Sequence, residues 1–408
     1  MKEMLLRFTN DYINNSFNRY HILISGALLI FFTGFPHIWS IFQPHLINGV
    51  GWTTEQASLC FYLYFFSFVI GNIYGGKVLK KTSVKNVVLR GGLIFALGVL
   101  LSALMILENP LPLYLSYGLM QGFGQGMIYT TIITAVQKLF PEKMGMATGV
   151  IVSSNGLCGL VLTPICRPML QHKGLSYTFI VIGILILFSL FIFLFFYKVK
   201  EDINEANTFK SELFKNSNYW LLTTIMLLGV VSYFFVSPIS QTYQIGLGID
   251  ENIAVLSVML GSCANTFLRL MMPIIFDRIG PFKTMILTFG LLIGSLSLLI
   301  INNINLVTIA IILIYGVYGA IMGCFPVISR KLYGSDNSAE NYGYVMLGLL
   351  GASYLAPIIT SIFNNIGLKQ NSIFIFAITS AIIGLLLANI LSKKIKGEEK
   401  NESIRKNN

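Results

Sequence analysis

The segment PIIFDRIGPFK (273–283) lies between two long apolar runs and carries three charged residues. The segment GKVLKKTSVK (76–85) also separates two apolar runs, and it begins 197 residues earlier. A second pair of segments, MGMATG (144–149) and YGYVM (342–346), is 198 residues apart. Two similar separations, each close to half of the 408-residue length, predict that the chain consists of two parallel repeats.

The composition of the whole chain is that of a membrane protein. The chain is 55% hydrophobic and 11% charged, with a mean hydropathy of +0.73, whereas about a quarter of a soluble domain is charged. A transmembrane helix uses about 20 apolar residues and a short turn, so the length accommodates about twelve spans. The sequence therefore predicts an all-α membrane protein with twelve transmembrane helices in two six-helix pseudo-repeats.

Breaks at Gly, Pro, Asn and charged residues place the spans at about 20–47, 57–79, 86–107, 112–137, 144–167, 176–197, 218–244, 252–275, 283–301, 305–329, 340–363 and 371–393. The longest polar interior segment, 198–217, falls at the midpoint of the chain. We therefore expect five parts: a tail at 1–19, a six-helix bundle at 20–197, a linker at 198–217, a second six-helix bundle at 218–393, and a tail at 394–408.

Lysine and arginine indicate the orientation. Twenty-four of the 28 lie in the two tails, in the even-numbered connections between spans, or in the adjoining span ends. By the positive-inside rule, both termini and the linker are cytoplasmic. The net charge of +11 is then a consequence of topology, so we expect a lipid bilayer and no nucleic acid as partner. The plasma membrane is the default location, with an organelle membrane as the alternative.

Arg269 stands within predicted span 8, in the apolar context CANTFLRLMMP (263–273). An arginine at mid-span costs about 2.5–3.5 kcal/mol on insertion scales, so it requires a partner or a wet cavity. All seventeen Asp and Glu residues lie in predicted loops, tails or membrane edges. We therefore expect an anionic substrate to neutralise Arg269. The alternatives are snorkelling to the cytoplasmic face and capping by backbone carbonyls.

The repeated loops resemble the signature loop of the major facilitator superfamily, G-x-x-x-D-R-x-G-x-R/K. The second copy has Asp277, Arg278 and Gly280, and the first begins at Gly76 but has Lys80 where the family has Asp. The resemblance implies the major facilitator fold, with these four matching residues at a cytoplasmic gate and the charged latch in the second copy. The alternative for the first copy is a loop that only sets the topology.

Further motifs resemble the oxalate/formate antiporter and monocarboxylate porter group. They are WSIF (39–42), GWT (51–53), GLMQGFGQG (118–126), FPEKMGMATG (140–149) and Asn265-x-x-x-Arg269. The resemblance implies that Arg269 binds the substrate carboxylate, that Asn265 one turn away lines the site, and that Tyr129 is the aromatic residue that follows the span-4 glycines.

His37 follows Phe-Pro in span 1, where proton-linked members of the group often have a lysine. Histidine changes its charge near neutral pH, so His37 is a candidate for contact with a proton or with the substrate. The alternative is a hydrogen bond between helices. The same structural interpretation is favoured for most other polar residues in the spans, namely Gln121, Gln125, Asn155, Tyr233, Gln241, Tyr315, Tyr318 and Ser353.

Oxalate-type members carry a second cation, a lysine in span 11, and the corresponding stretch 341–357 has none. One fixed cation favours a monocarboxylate such as pyruvate, lactate or formate. We therefore predict a monomeric secondary transporter that uses alternating access and either proton symport or anion exchange. The alternatives are a facilitator of a neutral solute such as a sugar, and a non-transporting membrane sensor on the same fold.

An enzyme is not expected. The sequence has no phosphate-binding loop, dinucleotide-binding loop or nucleophile elbow, so no cofactor is predicted. The five cysteines are scattered through apolar segments and no histidines stand at ligand spacing, so no metal site is predicted.

Overall fold

The computed structural model describes residues 19–199, 212–301, 303–333 and 338–407, and every regular element within these ranges is a helix. Ten of the described helices are long and apolar enough to cross a membrane. One of the ten is a pair of helices joined at a sharp turn, and a further helix crosses as three consecutive helical segments. The expected all-α fold with twelve spans is therefore confirmed.

The membrane-length helices are labelled in chain order. The first half contains α1 Arg19–Val50, α2 Thr54–Leu79, α3 Val84–Ser102, α4 at 111–139, α5 at 144–173 and α6 at 175–196. The second half contains α7 Ser217–Gly246, α8 Glu251–Ile279, α9 Pro281–Ile300, α10 Ile304–Tyr333, α11 Glu340–Asn365 and α12 Gln370–Ile395, the last of which continues helical to Asn407. Short helical turns cover Pro141–Lys143 and Glu212–Lys215.

Outside the described residues lie 1–18 of the predicted N-terminal tail, the centre of the predicted linker at 200–211, and residue 408 of the predicted C-terminal tail. The division into bundles at 20–197 and 218–393 stays a prediction.

Helices α5 and α6 form one helical run, Met144–Phe196, which at 1.5 Å per residue would be about 80 Å long. Gly174 breaks this run with φ 82° and ψ −179°, a conformation that glycine adopts readily. Ile151 before the break and Phe193 after it both lie against Gly26 of α1. The chain therefore reverses direction at Gly174, and the run is two antiparallel helices.

Helix α4 is continuous but not uniform. It begins with the turn Leu111–Leu113, continues as a π-helix over Tyr114–Gln121, and becomes an α-helix over Gly122–Leu139. π-helical turns are rare and widen a helix locally. The predicted span 112–137 therefore corresponds to a single membrane-length helix.

The two halves repeat local features as well as helix order. Helices α1 and α7 each pass through a 3-10 turn that contains a proline, Phe35–Ile38 in α1 and Ser237–Ile239 in α7. The chain then turns into the next helix at a glycine with positive φ, Gly51 at 83° or Gly248 at 85°. These two glycines are 197 residues apart, the same separation as the repeated loops. The prediction of two parallel repeats is confirmed.

The outer surface of the bundle is apolar. On α6, for example, Phe188, Phe191 and Phe195 are 62%, 61% and 65% exposed. Soluble monomers rarely expose extended apolar patches of this kind, whereas lipid tails solvate them. Polar side chains that are buried between the helices are consequently the candidates for function.

Candidate functional site

Arg269 lies on α8 where this helix packs against α5 of the first half. Its side chain is buried, with 1% exposed. Its Nη1 donates hydrogen bonds to the Val152 carbonyl oxygen at 3.0 Å and to Asn155 Oδ1 at 3.5 Å, and the guanidinium carbon lies 5.6 Å from the centre of the Tyr318 ring. Because Arg269 is buried, its side chain does not snorkel to the cytoplasmic face in this conformation. The other alternative, capping by a backbone carbonyl, is present as the hydrogen bond from Nη1 to Val152.

The hydrogen-bonding partners of Arg269 are neutral. The ion pairs among the described side chains join other residues, namely Arg19 to Glu142, Lys80 to Glu340 and Arg167 to Glu251. Within the same residues, Arg269 Nε has no hydrogen-bond partner. A buried cation is costly unless a counter-charge accompanies it, so this environment favours the binding of an anion.

Asn155 connects Arg269 to His37. Its Nδ2 donates to the Ile30 carbonyl oxygen at 3.4 Å, which orients Oδ1 towards both side chains. His37 Nε2 lies 2.8 Å from Asn155 Oδ1, and because an amide oxygen only accepts, Nε2 carries the proton and donates it. In neutral His37, Nδ1 then accepts from the Tyr233 hydroxyl at 3.0 Å. The neutral tautomer is thereby assigned from the hydrogen-bond network.

This network joins the two halves of the molecule. His37 and Asn155 belong to α1 and α5, whereas Tyr233 and Arg269 belong to α7 and α8. The Tyr233 ring stacks on the Tyr318 ring of α10 at 3.9 Å between centres and 10° between planes. Five helices therefore contribute to one buried polar cluster at the interface between the halves.

Tyr129 and Asn265 are buried near this interface with unsatisfied polar atoms. Within the described residues, neither the Tyr129 hydroxyl nor Asn265 Oδ1 has a hydrogen-bond partner. Asn265 lies against Gly156 of α5, where a Cβ atom would be 2.8 Å from Asn265 Oδ1, and the Tyr129 ring contacts the Phe68 ring of α2. Buried polar atoms without a partner are uncommon in folded proteins, so these two atoms are available to hydrogen-bond a bound solute.

The ends of α2, α8 and α10 and the start of α11 lie on one face of the bundle, here called the basic face. On this face Lys80, the residue that follows α2, forms an ion pair with Glu340 of α11, whose side chain is 4% exposed. The pair joins the two halves. The first loop copy, with lysine at the position of the family aspartate, thus contacts an acid in the other half.

The four predicted gate residues, Gly76, Asp277, Arg278 and Gly280, do not take part in this ion pair. Gly76 lies against Glu340, since a Cβ on Gly76 would be 3.7 Å from the Glu340 Cα. Gly280 ends α8 with φ 83°, and Arg278 is exposed. The side chain of Asp277 lies outside the described part of the chain. The assignment of the gate therefore stays a prediction.

The halves also touch on the opposite face. There the Tyr62 hydroxyl donates to the Phe234 carbonyl oxygen at 3.1 Å, and Arg167 donates to Asn252 Oδ1 at 2.8 Å. Contacts between the halves on both faces enclose the buried cluster. The structure is therefore closed on both sides of the site.

The structure brings two of the four predicted substrate-binding residues, His37 and Arg269, to the same amide oxygen. Asn265 is one turn from Arg269, and the Tyr129 hydroxyl makes no hydrogen bond to the described residues. His37 of α1 forms hydrogen bonds to side chains of two other helices, Asn155 of α5 and Tyr233 of α7, as in the alternative given above for this residue. For Asn155, Tyr233 and Tyr318 the sequence favours a hydrogen bond to a neighbouring helix over a place in the cavity. A polar residue within an apolar run was the only signal for each of them.

Twelve helices in two related halves around an enclosed polar site define a secondary transporter. The chain belongs to the major facilitator superfamily, because the model of the family described as Major Facilitator Superfamily matches residues 23–348. It is a transport protein and not an enzyme.

Curated relatives include several transporters. The uncharacterized MFS-type transporter YhjX of Escherichia coli (strain K12) is 26% identical over 343 residues, which are 81% of this chain and 84% of the relative. The oxalate:formate antiporter of Oxalobacter formigenes is 23% identical over 389 residues, 92% of this chain and 91% of the relative. Human monocarboxylate transporter 11 is 27% identical over 109 residues, 27% of this chain and 23% of the relative. The predicted resemblance to this group is confirmed.

Among solved structures, the nucleoside transporter NupG superposes with a TM-score of 0.69 and 13% identity, covering 92% of this chain and 99% of NupG. At this identity the likeness indicates the fold alone.

Proposed function

We propose that this transporter moves a small monocarboxylate, such as pyruvate, lactate or formate, and binds its carboxylate through Arg269. The proposal depends on one observation, the burial of Arg269 among neutral partners at the interface between the halves. The planar guanidinium matches a carboxylate with two parallel charge-assisted hydrogen bonds. Similarity to an oxalate:formate antiporter supports a small organic anion as the substrate class.

Arg269 is the one buried lysine or arginine in the described part of the chain, and a single cation favours one carboxylate over two. Helix α11, where oxalate-type members are expected to carry a second cation, has no lysine or arginine in Glu340–Asn365. A dicarboxylate bound at Arg269 would leave its second charge without a fixed partner. Oxalate is therefore expected to bind more weakly than pyruvate, lactate or formate.

Uptake of an anion requires coupling. An inside-negative potential opposes anion entry by about 2.3 kcal/mol per charge per 100 mV, so the substrate enters with a proton or in exchange for another anion. His37 is the proposed proton carrier. Protonated His37 and Arg269 would place two cations at one amide oxygen, an arrangement that a bound anion stabilises.

The mechanism is alternating access by a monomer. The bundles 20–197 and 218–393 would rock about the site, opening the basic face and the opposite face in turn. With both termini cytoplasmic, the basic face is the inner one, and the plasma membrane is the proposed location.

The test is counterflow of pyruvate, lactate, formate and oxalate in proteoliposomes, with and without a pH gradient. Arg269→Leu is expected to abolish flux of every carboxylate that the wild type carries. Arg90→Leu, the same change at an exposed arginine of α3, serves as the matched control and is expected to preserve flux. Unchanged flux in Arg269→Leu would contradict carboxylate binding at this residue.

One observation favours a second candidate, a facilitator of a neutral solute. The Val152 carbonyl oxygen already accepts a hydrogen bond from Arg269, so part of the guanidinium is satisfied without an anion. A sugar carrier would show no counterflow of the four carboxylates and would transport a hexose equally well in wild type and Arg269→Leu. No flux of any solute would instead favour a membrane sensor.

A further inference from the structure

Asn155 Oδ1 occupies an unusual position, because it accepts hydrogen bonds from both candidate substrate-binding side chains. His37 Nε2 donates to it at 2.8 Å and Arg269 Nη1 at 3.5 Å. The amide is buried, with 3% of the residue exposed. An sp² oxygen with two lone pairs thus lies between the two donors from which a carboxylate oxygen would accept.

We propose that Asn155 is an internal substitute for the substrate carboxylate and thereby determines specificity. With its two hydrogen bonds from His37 and Arg269, Oδ1 takes the place of one carboxylate oxygen, and the substrate binds by displacing it. This inference depends on the proposed binding of a carboxylate at Arg269. Asn155 would return to the two donors when the substrate leaves.

Chemistry decides which solutes can displace the amide. Hydrogen bonds to an ionised carboxylate are shorter and about twice as strong as those to a neutral acceptor. A carboxylate therefore gains by replacing Asn155 Oδ1, whereas the hydroxyl of a neutral solute exchanges one neutral acceptor for another. Competition with Asn155 would select anions at the cost of some affinity.

The Asn155 amide has one hydrogen bond to the described residues besides those to His37 and Arg269, and that bond is weak. Its other anchor is one long hydrogen bond from Nδ2 to the Ile30 carbonyl oxygen, at 3.4 Å. The next residue, Gly156, marks a close approach of α5 to α8, since a Cβ there would be 2.8 Å from Asn265 Oδ1. Asn155 is therefore held at the junction of the halves, and a change in their separation would change its distance from Arg269.

Two substitutions separate this role from a packing role. Asn155→Asp provides a permanent carboxylate of nearly the same shape, which would compete with the substrate for Arg269. Asn155→Ala removes the competitor and leaves both donors. In binding measurements with radiolabelled pyruvate, lactate and formate on purified full-length protein, we expect affinity to fall about tenfold or more in Asn155→Asp. In Asn155→Ala we expect it to stay equal or increase.

Asn72→Asp on α2 is the matched control, because it converts another buried amide to an acid where the amide donates to the Phe68 carbonyl oxygen. Its affinity for the same probes is expected to remain close to that of the wild type, and thermal unfolding of each variant in detergent checks folding. Equal loss of affinity in Asn155→Ala and Asn155→Asp, or wild-type affinity in Asn155→Asp, would overturn the role of Asn155. Absence of carboxylate binding by the wild type itself would instead overturn the proposed function.

Discussion

At the residue scale, the shape of the Arg269 side chain matters as much as its charge. Lysine keeps the charge but has no planar fork of N–H donors. Losing one charge-assisted hydrogen bond costs about 1.5–3 kcal/mol, which corresponds to about a tenfold to hundredfold loss of affinity. Arg269→Lys is therefore expected to raise the half-saturation concentration for carboxylate by at least about tenfold.

Counterflow at several substrate concentrations measures this change. If the half-saturation concentration of Arg269→Lys equals that of the wild type, binding depends on the positive charge alone and not on the planar arrangement of donors. Arg269→Leu has neither the charge nor the hydrogen-bond donors, so its flux gives the lower limit for comparison.

His37 is predicted to matter for coupling more than for binding. Glutamine can still donate to Asn155 Oδ1 and accept from the Tyr233 hydroxyl, but it cannot carry a proton. In His37→Gln, an outside-acidic pH gradient should no longer stimulate uptake, while exchange at equal pH continues. Initial rates of [14C]pyruvate uptake with and without the gradient measure this. If the gradient stimulates uptake by His37→Gln as much as uptake by the wild type, a group other than His37 carries the coupled proton.

The sequence predicted Arg269 and His37 as candidates but not their connection. A charge or an imidazole in an apolar run is visible because its burial is costly. That both residues meet Asn155, which is 118 residues from His37 and 114 from Arg269, depends on the rotation of three helices about their axes. Neutral polar residues such as Asn155 and Tyr233 cost less to bury, so their position in an apolar span does not by itself separate function from packing.

At the element scale, the two halves use the same internal hydrogen bonds. Gln43 Nε2 donates to Ser58 Oγ at 2.8 Å in the first half, and Gln244 Nε2 donates to Ser257 Oγ at 2.7 Å in the second. Both bonds join the first helix of a half to its second. Repetition of a buried polar pair in this way indicates that each half keeps the same crossing of its first two helices.

Glycines give the closest helix contacts in both halves. A Cβ on Gly122 of α4 would be 2.1 Å from the Tyr64 carbonyl oxygen, and one on Gly319 of α10 would be 2.2 Å from that of Asn265. Because the obstructing atoms are backbone, Gly319→Ala must separate α10 from α8. Overpacking of this kind costs about 1–3 kcal/mol, so we expect a lower thermal midpoint in detergent.

The matched control for Gly319→Ala is Gly294→Ala on α9, where an added Cβ meets nothing within 4 Å. Its stability should differ from the wild type by no more than about 0.5 kcal/mol. Equal midpoints for the two variants would show that α8 and α10 can separate at this point without cost.

Helix number and order were predictable because lipid requires each span to be long and apolar. Connections were less predictable. Predicted spans 144–167 and 176–197 left a loop between them, yet α5 continues to the turn at Gly174, since polar residues near a helix end can extend it beyond the apolar core. The π-helix over Tyr114–Gln121 has no signal in hydropathy at all. Such local changes depend on packing between helices.

At the scale of the whole molecule, transport requires that contacts on one face break while those on the other hold. The described contacts between halves differ in character on the two faces. The basic face has the ion pair of Lys80 with the buried Glu340, whereas the opposite face has the tyrosine hydrogen bond to Phe234 and the exposed pair of Arg167 with Glu251. Opening the basic face therefore has to separate a partly buried pair of charges.

In this pair the first loop copy provides the base, Lys80, where the family has an acid. The two charges can therefore be exchanged between Lys80 and Glu340 by mutation. Lys80→Glu places two acids together and Glu340→Lys places two bases together. Removing one partner of a buried pair costs about 3–5 kcal/mol, and the 23% exposure of the Lys80 side chain reduces this to about 1–3 kcal/mol here. Each single variant is expected to favour opening of the basic face, and the double variant to restore closure.

Spin labels on cysteines that replace Lys138 of α4 and Lys331 of α10, both exposed on the basic face, measure this opening as a distance between the halves. Longer distances should appear in each single variant and shorten again in the double variant. Glu142→Gln is the matched control, because its 2.5 Å pair with Arg19 lies on the same face but within the first half. Its loss should leave the distance unchanged. A double variant that stays open would mean that Lys80 and Glu340 act through separate contacts rather than through their pairing.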